Sequence, residues 1–245
     1  PFNKTPRDPC KLNSDYDCLD LQTLPDNYLP RSNYLPACSA DDYRARTPKV
    51  SWLEGDAKEP KRVTEYYRLF CRRQLSQSGE RTLTSMIAPP EAAHIHPVIS
   101  TTFRDLPTMI LFAGSSHSLV FDFWLKTTGK GDLYESVLRL LPIPGGVSYI
   151  VDGIKSRTLA LNCLTTHYAD LWKSCWQDSF RQQQWAFWSE TTAPDAQHPT
   201  PDQPACDYTK AIRPLLNRNF FTRLTPAWQR HNALRSDFER RMALV

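Results

Sequence analysis

Between residues 61 and 78 the apolar positions Val63, Tyr67, Phe70, Cys71 and Leu75 recur at helical spacing and leave the arginines mostly on the other faces. That pattern predicts a helix over 61–78. Thr82 to Ala88 is β-prone and stops at Pro89-Pro90, which cannot continue a strand ladder. His94 to Thr102 and Thr108 to Ala113 are predicted as two further strands. Ser115 to Thr128 reads as a helix with Leu119, Phe123 and Trp124 on one side and Gly129 as its stop. Asp132 to Leu141 reads as a second, shorter helix, ended by Pro142-Ile143-Pro144-Gly145-Gly146. Beyond it Leu161, Leu164, Tyr168, Leu171, Trp172, Cys175 and Trp176 form a stripe at three- and four-residue steps. Residues 191 to 206 are a polar, proline-rich loop, and a last helix is expected from Pro226 to the chain end, with Trp228, Leu234, Phe238 and Met242 on its apolar side.

These elements predict a mixed α/β (α+β) fold. A loop-rich N-terminal extension, broken by Pro25, Pro30, Pro36 and Pro48, is expected over 1–60. A small mixed-sheet module follows over 61–150, and a helical region over 151–245. Leu83, Ile87, Leu119, Phe123, Leu133 and Leu141 are the expected core. Trp172, Trp176 and Trp185 are expected to pack, with a stacking platform for nucleic acid as the other reading.

Composition narrows the class. Hydrophobic residues are 40% and charged residues 23%, and mean hydropathy is −0.52, ordinary values for a globular chain. The longest apolar run lies around Met109 to Ala113, too short for a transmembrane helix. The opening Pro-Phe-Asn-Lys carries no secretory leader, and the far end stops inside a helical pattern, so a piece of a longer chain or a processed product is expected. Seven cysteines with no Cys-x-x-Cys pair support neither a disulfide framework nor a zinc ribbon; free thiols in a reducing cytoplasm are expected.

Charge changes the picture more. Net charge is only +4, yet six basic residues stand against two acids between Lys61 and Arg81. Arginines outnumber lysines across the chain, and the guanidinium fork suits phosphates and guanine edges. A solvated helix face is the plain alternative.

Other constellations are incomplete. His94 and His96 with His117 would offer three metal ligands, but no carboxylate or cysteine stands at a typical metal spacing. Phe112-Ala113-Gly114-Ser115-Ser116 resembles a cofactor-binding glycine turn without its second glycine or its downstream acid. Ala88-Pro89-Pro90-Glu91 has neither the side-chain oxygen nor the aromatic that amino-methyltransferases need around Pro-Pro. Gly129-Lys130-Gly131 is not a phosphate-binding P-loop, though a basic glycine turn can approach a phosphate backbone. No constellation supports an independent hydrolase or metalloenzyme.

The run Glu80-Arg81-Thr82-Leu83 through Pro89-Pro90 to His94 resembles a segment of the target recognition domain of type IIG-like adenine-specific DNA methyltransferases. Ser118-Leu119-Val120-Phe121-Asp122-Phe123 through Lys126, Gly129-Lys130-Gly131 and Leu141-Pro142-Ile143-Pro144 is similar to the family's helix, glycine-rich turn and second helix, in the same order and spacing. The match covers 66–144 best. The helical tail is similar to the helices that follow this domain in single-chain methylases of phage-defence systems of the DISARM and BREX types. Two features depart from the family pattern. Glu91 stands where the family usually has glycine, and the methyltransferase half is absent from these residues.

The resemblance implies the DNA-reading part of an S-adenosylmethionine-dependent adenine-N6 methyltransferase in restriction–modification or anti-phage defence. No cofactor is expected in this chain; S-adenosylmethionine belongs to the associated catalytic domain, which alone would methylate a flipped adenine. Expected partners are double-stranded DNA, that catalytic domain or subunit and other defence-system proteins, with no membrane. Arg68, Arg72 and Arg73 on the basic helix, with Lys126 and Lys130, are expected to hold phosphates. Arg81, beside Thr82, is expected to fork onto guanine or anchor a phosphate; a structural pair with Asp122 or a backbone carbonyl is the alternative. His94, His96, Ser115, Ser116 and His117 are candidate base or backbone contacts. A protein-docking subunit without DNA reading of its own is the competing class.

Overall fold

The computed structural model describes residues 4–182, apart from 20–23, 26, 31–33 and 80. The expected loop at 191–206, the last helix, Trp185 and Cys206 lie outside the described residues.

The fold is mixed α/β. A short antiparallel ribbon joins β1 (Lys4–Pro6) to β2 (Tyr16–Cys18), and α1 (Ala40–Arg46) follows, capped by Ser39 and without a buried residue. The central sheet is antiparallel in the order β4-β3-β5, built from β3 (Arg68–Arg72), β4 (Ser85–Ala88) and β5 (Val98–Thr102). The helices are α2 (Leu106–Ser116), α3 (Leu119–Thr127), α4 (Glu135–Leu138), α5 (Ser148–Asn162) and α6 (Ala169–Cys175).

The predicted helix over 61–78 is a strand instead. β3 is the middle strand and is buried on both sides: Leu69 and Cys71 face the helices, while Arg68 and Phe70 lie on the opposite face. Burial on both faces erases strand alternation, so the three- and four-residue spacing of its apolar residues was coincidental.

The predicted strand at 108–113 is the middle of α2. Asp105 caps that helix by accepting the Thr108 amide at 2.8 Å, with Pro107 in the first turn. Every residue from Met109 to Ser116 is buried, so α2 shows no amphipathic stripe, and periodicity alone cannot separate such a run from a buried strand. The predicted strand at 94–102 is shorter than expected. It starts at Val98 and leaves His94 and His96 in the preceding loop.

The helix expected at 115–128 starts at Leu119, where Ser118 caps it by accepting the Phe121 amide at 3.2 Å. It ends at Thr127, and Gly129 takes a left-handed φ of 64° just beyond, as its stop role requires. The α3 surface turned inward carries Phe121, Asp122 and Leu125. Leu119 and Phe123, expected in the core, are exposed, Phe123 by 71%.

Leu83, Ile87, Leu133 and Leu141 are buried as expected. One continuous core takes in Leu24 from the N-terminal extension, the sheet, α2, and the tail residues Leu161, Leu164, Tyr168, Leu171 and Cys175. Trp172 and Trp176 pack against it. Tyr168 stacks on Tyr67 at 6.2 Å and donates its hydroxyl to the Ile87 carbonyl at 2.9 Å, joining tail to sheet. Among the described residues, no helix is long and apolar enough to cross a membrane.

Candidate nucleic-acid interface

The two segments that carry the family resemblance meet at Asp122. Its Oδ1 accepts the Thr82 amide at 2.9 Å and the Leu83 amide at 2.7 Å, and lies 3.2 Å from Arg81 Nε. Arg81 Nη2 also donates to the His117 carbonyl at 3.0 Å. Side-chain exposure is only 12% for Arg81 and 7% for Asp122. The guanidinium is therefore an internal clamp, and the expected base or phosphate contact by Arg81 is corrected to the structural alternative. Thr82 is likewise buried, with its hydroxyl donating to the Ser76 carbonyl at 3.0 Å.

Four further candidates turn inward. Arg68 is 2% exposed; its guanidinium carbon lies over the Phe70 ring at 4.9 Å and its Nη2 donates to the Ala92 carbonyl. Burial lowers its pKa from the usual guanidinium value. It fastens the turn after β4 across the sheet and presents nothing to a duplex. In that turn Glu91 takes a φ of 64°, a conformation that favours glycine, which the resembling family usually has there. Ser115 and Ser116 are buried and return their hydroxyls to the Leu111 and Ala113 carbonyls, at 2.9 and 2.6 Å. The His117 ring donates from Nε2 to the Ser85 carbonyl at 3.0 Å, leaving Nδ1 enclosed without a partner. Burial pushes its pKa down from 6.5 to about 4, and the nearby Arg81 charge acts in the same direction.

The remaining candidates stay at or near the surface. Arg72 is exposed where β3 ends. Arg73 follows it; its guanidinium lies over the Tyr134 ring at 5.1 Å, and its Nη1 meets His96 Nε2. His96 is exposed, while His94 is half-buried, edge-on to Phe70 at 4.9 Å and bonded through Nε2 to Ser100 at 2.9 Å. Lys130 is exposed on the glycine turn, which Gln77 grips by donating to the Lys130 carbonyl at 2.7 Å. Backbone bonds from Leu75 to Gly131 and from Leu133 to Arg73 draw that turn onto the chain leaving β3. Lys126 is half-buried and donates to the Gly79 carbonyl at 3.0 Å. The structure thus gathers Arg73, His96 and Lys130 at one end of the sheet, beside Arg72. Tyr134 and Gln77 complete this rim. No sequence motif marked either one, because only the pairing of 73–75 with 131–133 brings them in.

The metal reading fails on geometry. His117 is committed to Ser85 and His94 to Ser100, and no group of three histidine, cysteine or acidic side chains among the described residues could hold a metal ion. The glycine-turn reading also fails. Gly114 lies inside α2, and a Cβ there would stand 2.2 Å from Thr158 Oγ1 on α5, so this glycine serves a close helix crossing.

The chain matches no protein-family model, no curated protein and no solved structure.

Proposed function

We propose that this chain is the DNA target-recognition part of an S-adenosylmethionine-dependent adenine-N6 DNA methyltransferase of a restriction–modification or anti-phage system. It would bind duplex DNA in the cytoplasm and position a catalytic domain that holds the cofactor. The observation that supports the reading is the rim at the exit of β3. There Arg72, at the end of the strand, and Arg73 and Lys130, in segments tied together by backbone hydrogen bonds, stand with His96 and the exposed Tyr134. A rim of cations suits a duplex, whose phosphates supply affinity and whose base edges supply choice.

The test is fluorescence anisotropy on a randomised duplex pool across a salt series. Binding is expected to weaken steeply with salt, and Lys130→Ala is expected to make the log–log slope shallower by about 0.9, the value of one lost phosphate contact. Binding indifferent to salt would favour the second reading, a protein-docking subunit of a defence complex. One observation supports that alternative: the outward surface of α3 carries Leu119, Val120, Phe123 and Trp124, all exposed.

A further inference from the structure

We propose that Arg73 reads sequence, taking the paired O6 and N7 acceptors of a guanine in the major groove. The proposal deepens the DNA-recognition reading and rests on it.

The backbone at Arg73 is fixed on both sides. Its amide donates to the Pro97 carbonyl at 2.8 Å, and its carbonyl accepts the Leu133 amide at 2.7 Å. Its side chain is fixed as well. The guanidinium lies over the Tyr134 ring at 5.1 Å, where the π face attracts the cation and limits its rotation. Nη1 meets His96 Nε2. A guanidinium only donates, so the imidazole nitrogen accepts there and carries its own proton on Nδ1. No carboxylate forms an ion pair with Arg73 among the described residues. Two bonding constraints and a stack therefore hold a planar donor fork that still has donors to give.

Charge around the stack favours a base edge over a phosphate. The Tyr134 hydroxyl donates to Asp132 at 3.4 Å, while the next residue, Glu135, is paired with Arg139. The Asp132 carboxylate beside the stack opposes an incoming phosphate, whereas the guanine edge is neutral and offers two acceptors at the spacing of the fork. Arg72 and Lys130, without such a clamp, suit the phosphates. The roles expected from sequence are thereby exchanged: Arg81 is internal, and Arg73 is the reader.

The experiment is selection from a randomised duplex pool with the full chain and with Arg73→Lys, followed by binding of the enriched site with 7-deazaguanine at its guanines. The wild type is expected to enrich a site with a required G·C pair and to lose affinity when that guanine lacks N7. Arg73→Lys keeps the charge but lacks the fork. It is expected to retain the salt slope while its preference at that pair falls from roughly 5–150-fold towards none. The 7-deazaguanine arm uses unaltered protein, so it holds even if the variant folds poorly. An unchanged consensus with uniformly weaker binding by Arg73→Lys would make Arg73 a phosphate contact and overturn the proposal. Salt-sensitive binding with no enriched site would overturn it while leaving DNA binding intact. Absence of any duplex binding would remove both readings together.

Discussion

At the scale of single residues, three donors converge on one oxygen of Asp122, and two of them are main-chain amides. Removing the carboxylate leaves the Thr82 and Leu83 amides without their acceptor and takes an ion-pair partner from a guanidinium that is only 12% exposed. Asp122→Ala should therefore cost about 3–5 kcal/mol, the usual loss when one partner of a buried pair is deleted. Urea titration measures this, and a loss below 1 kcal/mol would mean that Arg81 finds another acceptor or water. His117 gives the fold a pH dependence of definite sign. The unfolded ring titrates near 6.5 and the folded one near 4, so the folded state resists protonation. Its contribution is complete above pH 6.5 and drains away as pH falls towards 4, by at most about 3 kcal/mol. Stability measured at several pH values should show wild type falling more steeply than His117→Gln across that window; parallel curves would refute this assignment.

At the scale of elements, the crossing of α2 and α5 depends on a missing side chain. Gly114→Ala would ordinarily strengthen a helix by about 1 kcal/mol. Here the new methyl would meet Thr158 Oγ1 at 2.2 Å and Ile154 Cγ2 at 2.7 Å. Overpacking of this kind costs roughly 1–3 kcal/mol, so the substitution should lower the melting temperature, and Thr158→Ala in the same chain should restore part of the loss. A gain in stability from Gly114→Ala alone would show that the helices separate freely. What the sequence disclosed about elements follows from their burial. The end of α3 was legible because Gly129 needs its left-handed backbone, and the end of β4 because Pro89 stops the ladder. β3 and α2 were misread for one shared reason: both are buried on every side, so neither carries the alternation or the stripe that periodicity detects. The inward face of α3 was misjudged because a carboxylate, rather than Phe123, turns towards the core.

At the scale of the molecule, sheet, N-terminal extension and helical tail share one core, so the rim at the end of β3 rests on a continuous support. The mixed fold class was readable from the order of elements. The candidate site was readable only in part. Local charge singled out the basic run of 61–81, but the packing around each position decides which of its arginines reach solvent: Arg68 and Arg81 are buried, Arg72 at the end of β3 is exposed, and Arg73 lies along the rim. Tyr134 was invisible because its meeting with Arg73 depends on a pairing between segments some sixty residues apart in sequence.

The knot at Asp122 also has a consequence for descent. A lineage that lost the carboxylate while keeping Arg81 would inherit two buried amides without their acceptor, and one that lost Arg81 alone would keep a buried carboxylate without this ion pair. A change at Asp122 is therefore expected to be tolerated only with a compensating change around Thr82, forty residues away in sequence.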